Sequence, residues 1–158
     1  MKSNVVQHQT DINADIMLID EIVASSQHSL RFYTHAITVI DDYNLKRIFS
    51  MQINIYQRIL ALLAPPQRRI MLSNTAHLAL PEDGGHTQHT TYVQAQILLQ
   101  QDCWHKGVAH LIELEQCRLV QLKHAVKQVY QPHIAQKLAD SAAWLQSSCD
   151  EMISFCRR

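Results

Sequence analysis

Helix breakers are what this chain has least of: three glycines and four prolines in 158 residues. A turn-rich β fold needs both residue types, so their scarcity favours long helices. An excess of charge of either sign is also missing. Fourteen basic side chains balance fourteen acidic ones. That excludes the basic footprint of a nucleic-acid-binding protein and mildly favours self-association. No apolar run approaches the ~20 residues of a membrane span, so no membrane partner is expected. The opening MKSNVVQHQTDINAD has no apolar stretch of the secretory kind, and the expected location is cytoplasmic. Cys103, Cys117, Cys149 and Cys156 include no C-x-x-C pair. Their spacing argues against a zinc ribbon or a thioredoxin-type site and for free thiols. Glycine-rich phosphate loops, G-x-S-x-G and H-E-x-x-H are absent as well.

What the sequence has in quantity is apolar residues at helical spacing. Residues 1–12 read as a polar N-terminal arm and residues 13–158 as a single domain, with Asp11 or Asn13 as a helix cap. The first helix turns Ile16, Ile19, Ile22, Val23, Leu30, Tyr33, Ile37 and Ile40 inward. Ser26 and Ser29 share that side, and His28 and His35 fall on the other. Asp41 or Asp42 caps a second helix from Tyr43 to Ala64. Its inward face is Leu45, Ile48, Met51, Ile55, Ile59, Leu62 and Leu63, with Gln52 and Tyr56 on the flank. Pro65-Pro66 stops it. Residues 65–88 form a long connection, as a crossover between parallel helices requires.

A third helical segment starts near Tyr92. The pattern leaves open whether it runs straight into the strongest periodic stretch, Val108 to Tyr130, or is kinked or briefly broken at Asp102, Trp104 and Gly107. Pro132 suits the first turn of a last helix. That helix turns Ile134, Leu138, Ser141, Leu145, Ser148, Met152 and Phe155 inward, with Cys149 and Cys156 at its edge. The predicted fold is all-α: a ferritin-like four-helix bundle with one long crossover connection between helices 2 and 3.

The chemistry turns on the inward polar residues. A ferritin-like di-metal site takes a carboxylate from each of two helices and a Glu-x-x-His pair from each of the others. Here the inward mid-helix polar set is Ser26, Ser29, Gln52, Glu115, Ser141, Ser148 and Cys149. One carboxylate is left, and no E-x-x-H faces inward, so a di-iron enzyme is not expected. Glu115 and Gln52 are the candidate metal ligands of a degenerate site. Against them stands the plainer expectation that Glu115 is a buried acid satisfied by Gln52, a serine or Tyr33. A ligand-polarising role would show as a raised Glu115 pKa.

Two further patterns use histidine, of which there are ten. His110, Cys117 and His124 repeat every seven residues on the outward face, with Cys103 extending the row. Two helical turns separate successive members, roughly 10.5 Å, too far to share one ion. The row reads as a solvated or oligomer-contacting face, with a pH-sensitive interface as the alternative. His86 and His89 follow Gly84-Gly85 and form a candidate surface metal site. Cys103 lies beside Trp104 and His105, but neighbouring side chains on a helix diverge, and no nucleophile is proposed there.

Three runs carry a resemblance: LIDEIVASSQHSLRFYTHAI, NLKRIFSMQINIYQRILALL and HLIELEQCRLVQLKHAVKQVYQPHIAQKLADSAAWLQSSCDEM. Together they resemble a bacterial family of ferritin-like four-helix bundles whose function is unknown. The resemblance implies that Glu115 corresponds to the third-helix acid. It implies that the first-helix acid is replaced by Ser29, that the second-helix acid falls near Met51-Gln52, and that the fourth-helix histidine is replaced by Cys149.

The expected function is a non-enzymatic interaction or stress-related module without a cofactor, forming a homo-oligomer or binding a protein partner. One alternative is a metal-binding or oxidoreductase-like bundle using Glu115 with iron, manganese or zinc. The other is a carrier of a small apolar ligand beside Ser26, Ser29, Ser141 and Ser148.

Overall fold

No proline or glycine occurs before residue 65, so little in the first part of the chain interrupts a helix except its acidic caps. In the computed structural model, the backbone is described for residues 2–64, 86–101 and 103–157, and side chains for 11–64, 92–101 and 103–157. Among the described residues the structure is all-helical, with five helices: α1 (Lys2–Val39), α2 (Tyr43–Leu63), α3 (His86–Gln100), α4 (Trp104–Gln128) and α5 (Pro132–Cys156). α1 starts at Lys2, ahead of the Asp11 and Asn13 caps expected, so the arm assigned to residues 1–12 carries helical backbone. None of the helices is long and apolar enough to cross a membrane.

Local chemistry sets the other boundaries. Asp42 caps α2, its Oδ1 accepting from the Leu45 amide at 2.7 Å. α2 ends where Ala64 turns extended, at φ −72° and ψ 134°, the conformation favoured before a proline. Pro132 sits in the first turn of α5, where its missing N–H costs nothing.

Side-chain pairs fix the helix directions. Arg47 meets Glu151 and the Arg58 guanidinium lies 6.0 Å from the ring centroid of Trp144, so α2 and α5 run antiparallel. Asp15 meets Tyr130 and Gln131 while Tyr33 meets Glu115, so α1 and α4 also run antiparallel. α1 and α2 form a hairpin around residues 40–42, with the Tyr33 and Phe49 rings 5.2 Å apart. α2 and α4 therefore point the same way, and the chain must return between them.

Part of that return is α3, which corrects the expected count of four helices. The segment after Tyr92 does not run on into α4. It ends at Gln100, and the chain folds back so that α3 lies along α4. Gly107 makes the approach possible: a Cβ there would stand 3.1 Å from both the Ala95 carbonyl oxygen and Leu99 Cγ. Of the expected crossover, residues 65–85 lie outside the described residues.

The expected inward faces hold in most of their members, with instructive shifts. On α1, Ile16 is 49% exposed, and Phe32 and Ala36 join the core instead. On α2 the face is rotated, so that Gln52 and Tyr56 are fully buried and Met51 is half-buried. On α4, Leu114, Arg118 and Ala125 are buried alongside the expected set. On α5, Cys149 is as deeply buried as Ser148 and Met152.

Candidate functional site

Glu115 sits mid-helix on α4 with no exposed surface. A carboxylate there must be hydrogen-bonded or neutral. Both of its oxygens are taken. The Tyr33 hydroxyl, from α1, donates to Oε1 at 2.8 Å. The Tyr56 hydroxyl, from α2, donates to Oε2. The two tyrosine rings stack with centroids 6.2 Å apart. Of the partners expected for a satisfied Glu115, Tyr33 is found. Tyr56, placed by the sequence on the flank of α2, is the second.

The third member is Arg118, one turn further along α4 and 4% exposed. Its guanidinium lies 5.7 Å from the ring centroid of Tyr92 on α3, a cation–π distance. The Tyr92 hydroxyl pairs with Ser29 Oγ at 2.7 Å, and its ring packs on Phe32 at 4.5 Å and His28 at 5.1 Å. His28, expected on the outward side, is therefore half-buried against α3. The cluster gathers α1, α2, α3 and α4 around one acid and one base.

Burial pushes the Glu115 pKa up from the ordinary carboxylate value, and Arg118, Tyr56 and Tyr33 pull it part of the way back. The raised direction is the signature expected of a ligand-polarising acid, but desolvation is enough to produce it. Tyr33 and Tyr56 are driven well above the usual phenol range by burial and then by the Glu115 charge. Burial works to lower the Arg118 pKa, and the oxygens of Tyr92, Tyr56 and Glu115 outweigh it, so the guanidinium stays charged.

Gln52, the other candidate ligand, is also fully buried, but it is engaged elsewhere. Its Nε2 donates to Ser148 Oγ and, at 2.9 Å, to Met152 Sδ. No hydrogen bond joins it to Glu115, and Gln52 Oε1 has no partner among the described residues. Cys149, the residue that the resemblance sets in place of a histidine, is a buried thiol. Burial, then Glu115 and Asp150, push its pKa up to about 12, so it stays protonated and unreactive at neutral pH.

Among the described residues no three of His, Cys, Asp and Glu converge in a geometry that could hold a metal. The side chains of His86 and His89 lie outside the described residues. The outward row is where the sequence placed it: Cys117 and His124 are exposed and His110 half-buried. All four cysteines are free. The four serines proposed to line a ligand cavity are all buried. Ser29 is bound to Tyr92, Ser148 to Gln52, and Ser141 to the Lys137 carbonyl at 2.8 Å. Ser26 lines a recess of about 20 Å³, room for one water and not for a small organic ligand.

Sequence reasoning missed Arg118 and Asp15. Arg118 had a signal, since Leu111, Glu115, Arg118 and Leu122 follow core spacing on α4. Asp15 is 1% exposed. Its Oδ1 accepts from the Tyr130 amide at 3.0 Å and its Oδ2 from the Gln131 amide at 3.1 Å, tying α1 to the α4–α5 turn. No protein-family model, curated protein or solved structure matches the chain.

Proposed function

We propose that the protein is a non-enzymatic helical module of interaction or stress response, which acts by associating with a second copy of itself or with a protein partner. The observation that carries this reading is the state of Glu115. A metal or substrate ligand needs free lone pairs aimed at an open position. Both Glu115 oxygens instead accept tyrosine hydroxyls, and a buried guanidinium one turn away opposes a second cation. Buried polar groups tied to one another across helices rigidify a core and help to specify one arrangement of it.

The helix directions support a ferritin-like layout within this reading. α1 and α5 run one way, α2 and α4 the other, and the chain returns between α2 and α4. The surface supports the association. Val120 is 65% exposed in the middle of α4. It lies three residues after Cys117 and four before His124, so all three share one face.

Light scattering from pH 5 to pH 8 tests the proposal. The expected result is a mass above the monomer, and a monomer at every pH would sink the self-association. Metal analysis after anaerobic loading with iron, manganese or zinc tests the other half. One bound equivalent that disappears in Glu115→Gln would replace this reading with a metal-binding bundle.

A further inference from the structure

Between α1 and α4 runs a groove, and α3 lies in it. On the α1 wall, the Tyr92 ring packs on Phe32 and His28 while its hydroxyl pairs with Ser29. On the α4 wall, Arg118 stands over the same ring, and Ala95 and Leu99 approach Gly107. Tyr92, Ala95 and Leu99 are all buried by this contact.

The turn that folds α3 back is short and weakly specified. α3 ends at Gln100 and α4 begins at Trp104. Gln101, Asp102 and Cys103 lie between them, and none is a glycine or a proline. Cys103 stands at the N-cap of α4 without a side-chain hydrogen bond, and the first turn of α4 holds no acid. The signals that fix where a helix begins are therefore missing. The same residues can run on as one helix from His86 to Gln128.

We propose that two copies of this chain associate by exchanging α3, so that the α3 of each fills the α1–α4 groove of the other. This rests on the self-association proposed above and names its surface. The exchanged dimer forms the contacts of the closed chain, with the Tyr92–Ser29 pair and the Ala95–Gly107 approach now made between copies. The directions agree. Once the turn straightens, α3 continues the line of its own α4 past the end of the bundle. A two-fold axis across that end sets the second α4 antiparallel to the first. The incoming α3 then meets it antiparallel, as each α3 meets its own α4 in the closed chain. The chain length agrees as well. In the exchanged form, the connection from α2 must pass the lengths of α2 and α3 end to end. These are 21 and 15 residues, or roughly 54 Å at 1.5 Å per residue. Residues 65–85 can reach roughly 70 Å when extended.

Size-exclusion chromatography with light scattering, at rising protein concentration, tests this. The natural chain is expected to show a dimer that grows with concentration and equilibrates slowly, because α3 must leave one groove before it enters another. Inserting Gly-Gly-Ser-Gly between Gln101 and Asp102 interrupts the continuous helix and eases the turn. It is expected to bring the dimer down to the mass of one chain, with helical content unchanged by circular dichroism. Deleting residues 101–103 takes the turn away and is expected to give a dimer that survives dilution. A dimer undiminished by the insertion, or a folded monomer after the deletion, overturns the exchange and leaves association through another surface standing. A natural chain and a deletion variant that both stay monomeric overturn the exchange and the self-association together.

Discussion

Two buried carboxylates hold this molecule together at different places, and they are satisfied in different ways. Asp15, near the end of the helices, accepts from two backbone amides of the α4–α5 turn. Glu115, at mid-height, accepts from two side chains on two other helices. Backbone donors are present whatever the neighbouring sequence, so the Asp15 arrangement depends on little besides Asp15. The donors of Glu115 exist only because tyrosines stand at positions 33 and 56. The turn is fastened by one residue, while the middle is fastened by a set whose members depend on one another.

The sharpest way to break the comparison is to remove each acid. Glu115→Ala leaves two tyrosine hydroxyls without their acceptor and removes a buried carboxylate whose charge acts on Arg118. A loss of about 3–5 kcal/mol is expected, measured by urea unfolding. Asp15→Ala exposes two amides near a chain turn where water can reach them, and its cost is expected to be about 1–2 kcal/mol, in the range of a lost helix cap. If the two losses come out equal, the distinction drawn here between middle and end fails.

Removing donors in place of acceptors sharpens it. Tyr33→Phe and Tyr56→Phe are each expected to cost about 1–2 kcal/mol. Because both act on one carboxylate, the double variant should depart from the sum of the singles. Strict additivity would show that the two hydroxyls act independently.

The smallest effect is read as a slope. The folded Glu115 pKa is raised above the unfolded value, so the folded state holds more protons between the two values and stability falls there as pH rises. The contribution of this group is full below the unfolded value and is lost as pH climbs through the folded one. In thermal melts from pH 4 to 8, the advantage of the natural protein over Glu115→Gln should shrink with rising pH. A difference that is flat or grows would contradict the raised direction. No donor of Asp15 can be deleted in the same way, since both belong to the backbone.

Much of the fold was legible in advance because helical periodicity is a local property. The spacing of Leu45, Ile48, Ile55 and Ile59 on α2, and of Ile134, Leu138, Leu145 and Met152 on α5, encodes their buried faces directly. Asp42, Pro65 and Pro132 act on residues within one turn of themselves, and helix ends are found at each. Glu115 was legible too, as the one acid on an apolar face. The arginine beside it went unread, although it shares the core spacing of Leu111, Glu115 and Leu122.

What the sequence could not show is whatever depends on distant partners. The pattern left open whether α3 runs on into α4, because both are helical in spacing; only the contact of Gly107 with Ala95 and Leu99 decides that they fold back. Asp15 and the α4–α5 turn are 115 residues apart, and nothing local to either announces the other. By itself, then, the sequence determined an all-helical chain with its faces and stops, since those follow from torsional preference and spacing within a few turns. The tertiary structure alone decided which tyrosines reach Glu115, that Arg118 is drawn in beside it, and that a small recess opens at Ser26. Each of these depends on how separate helices are set against one another.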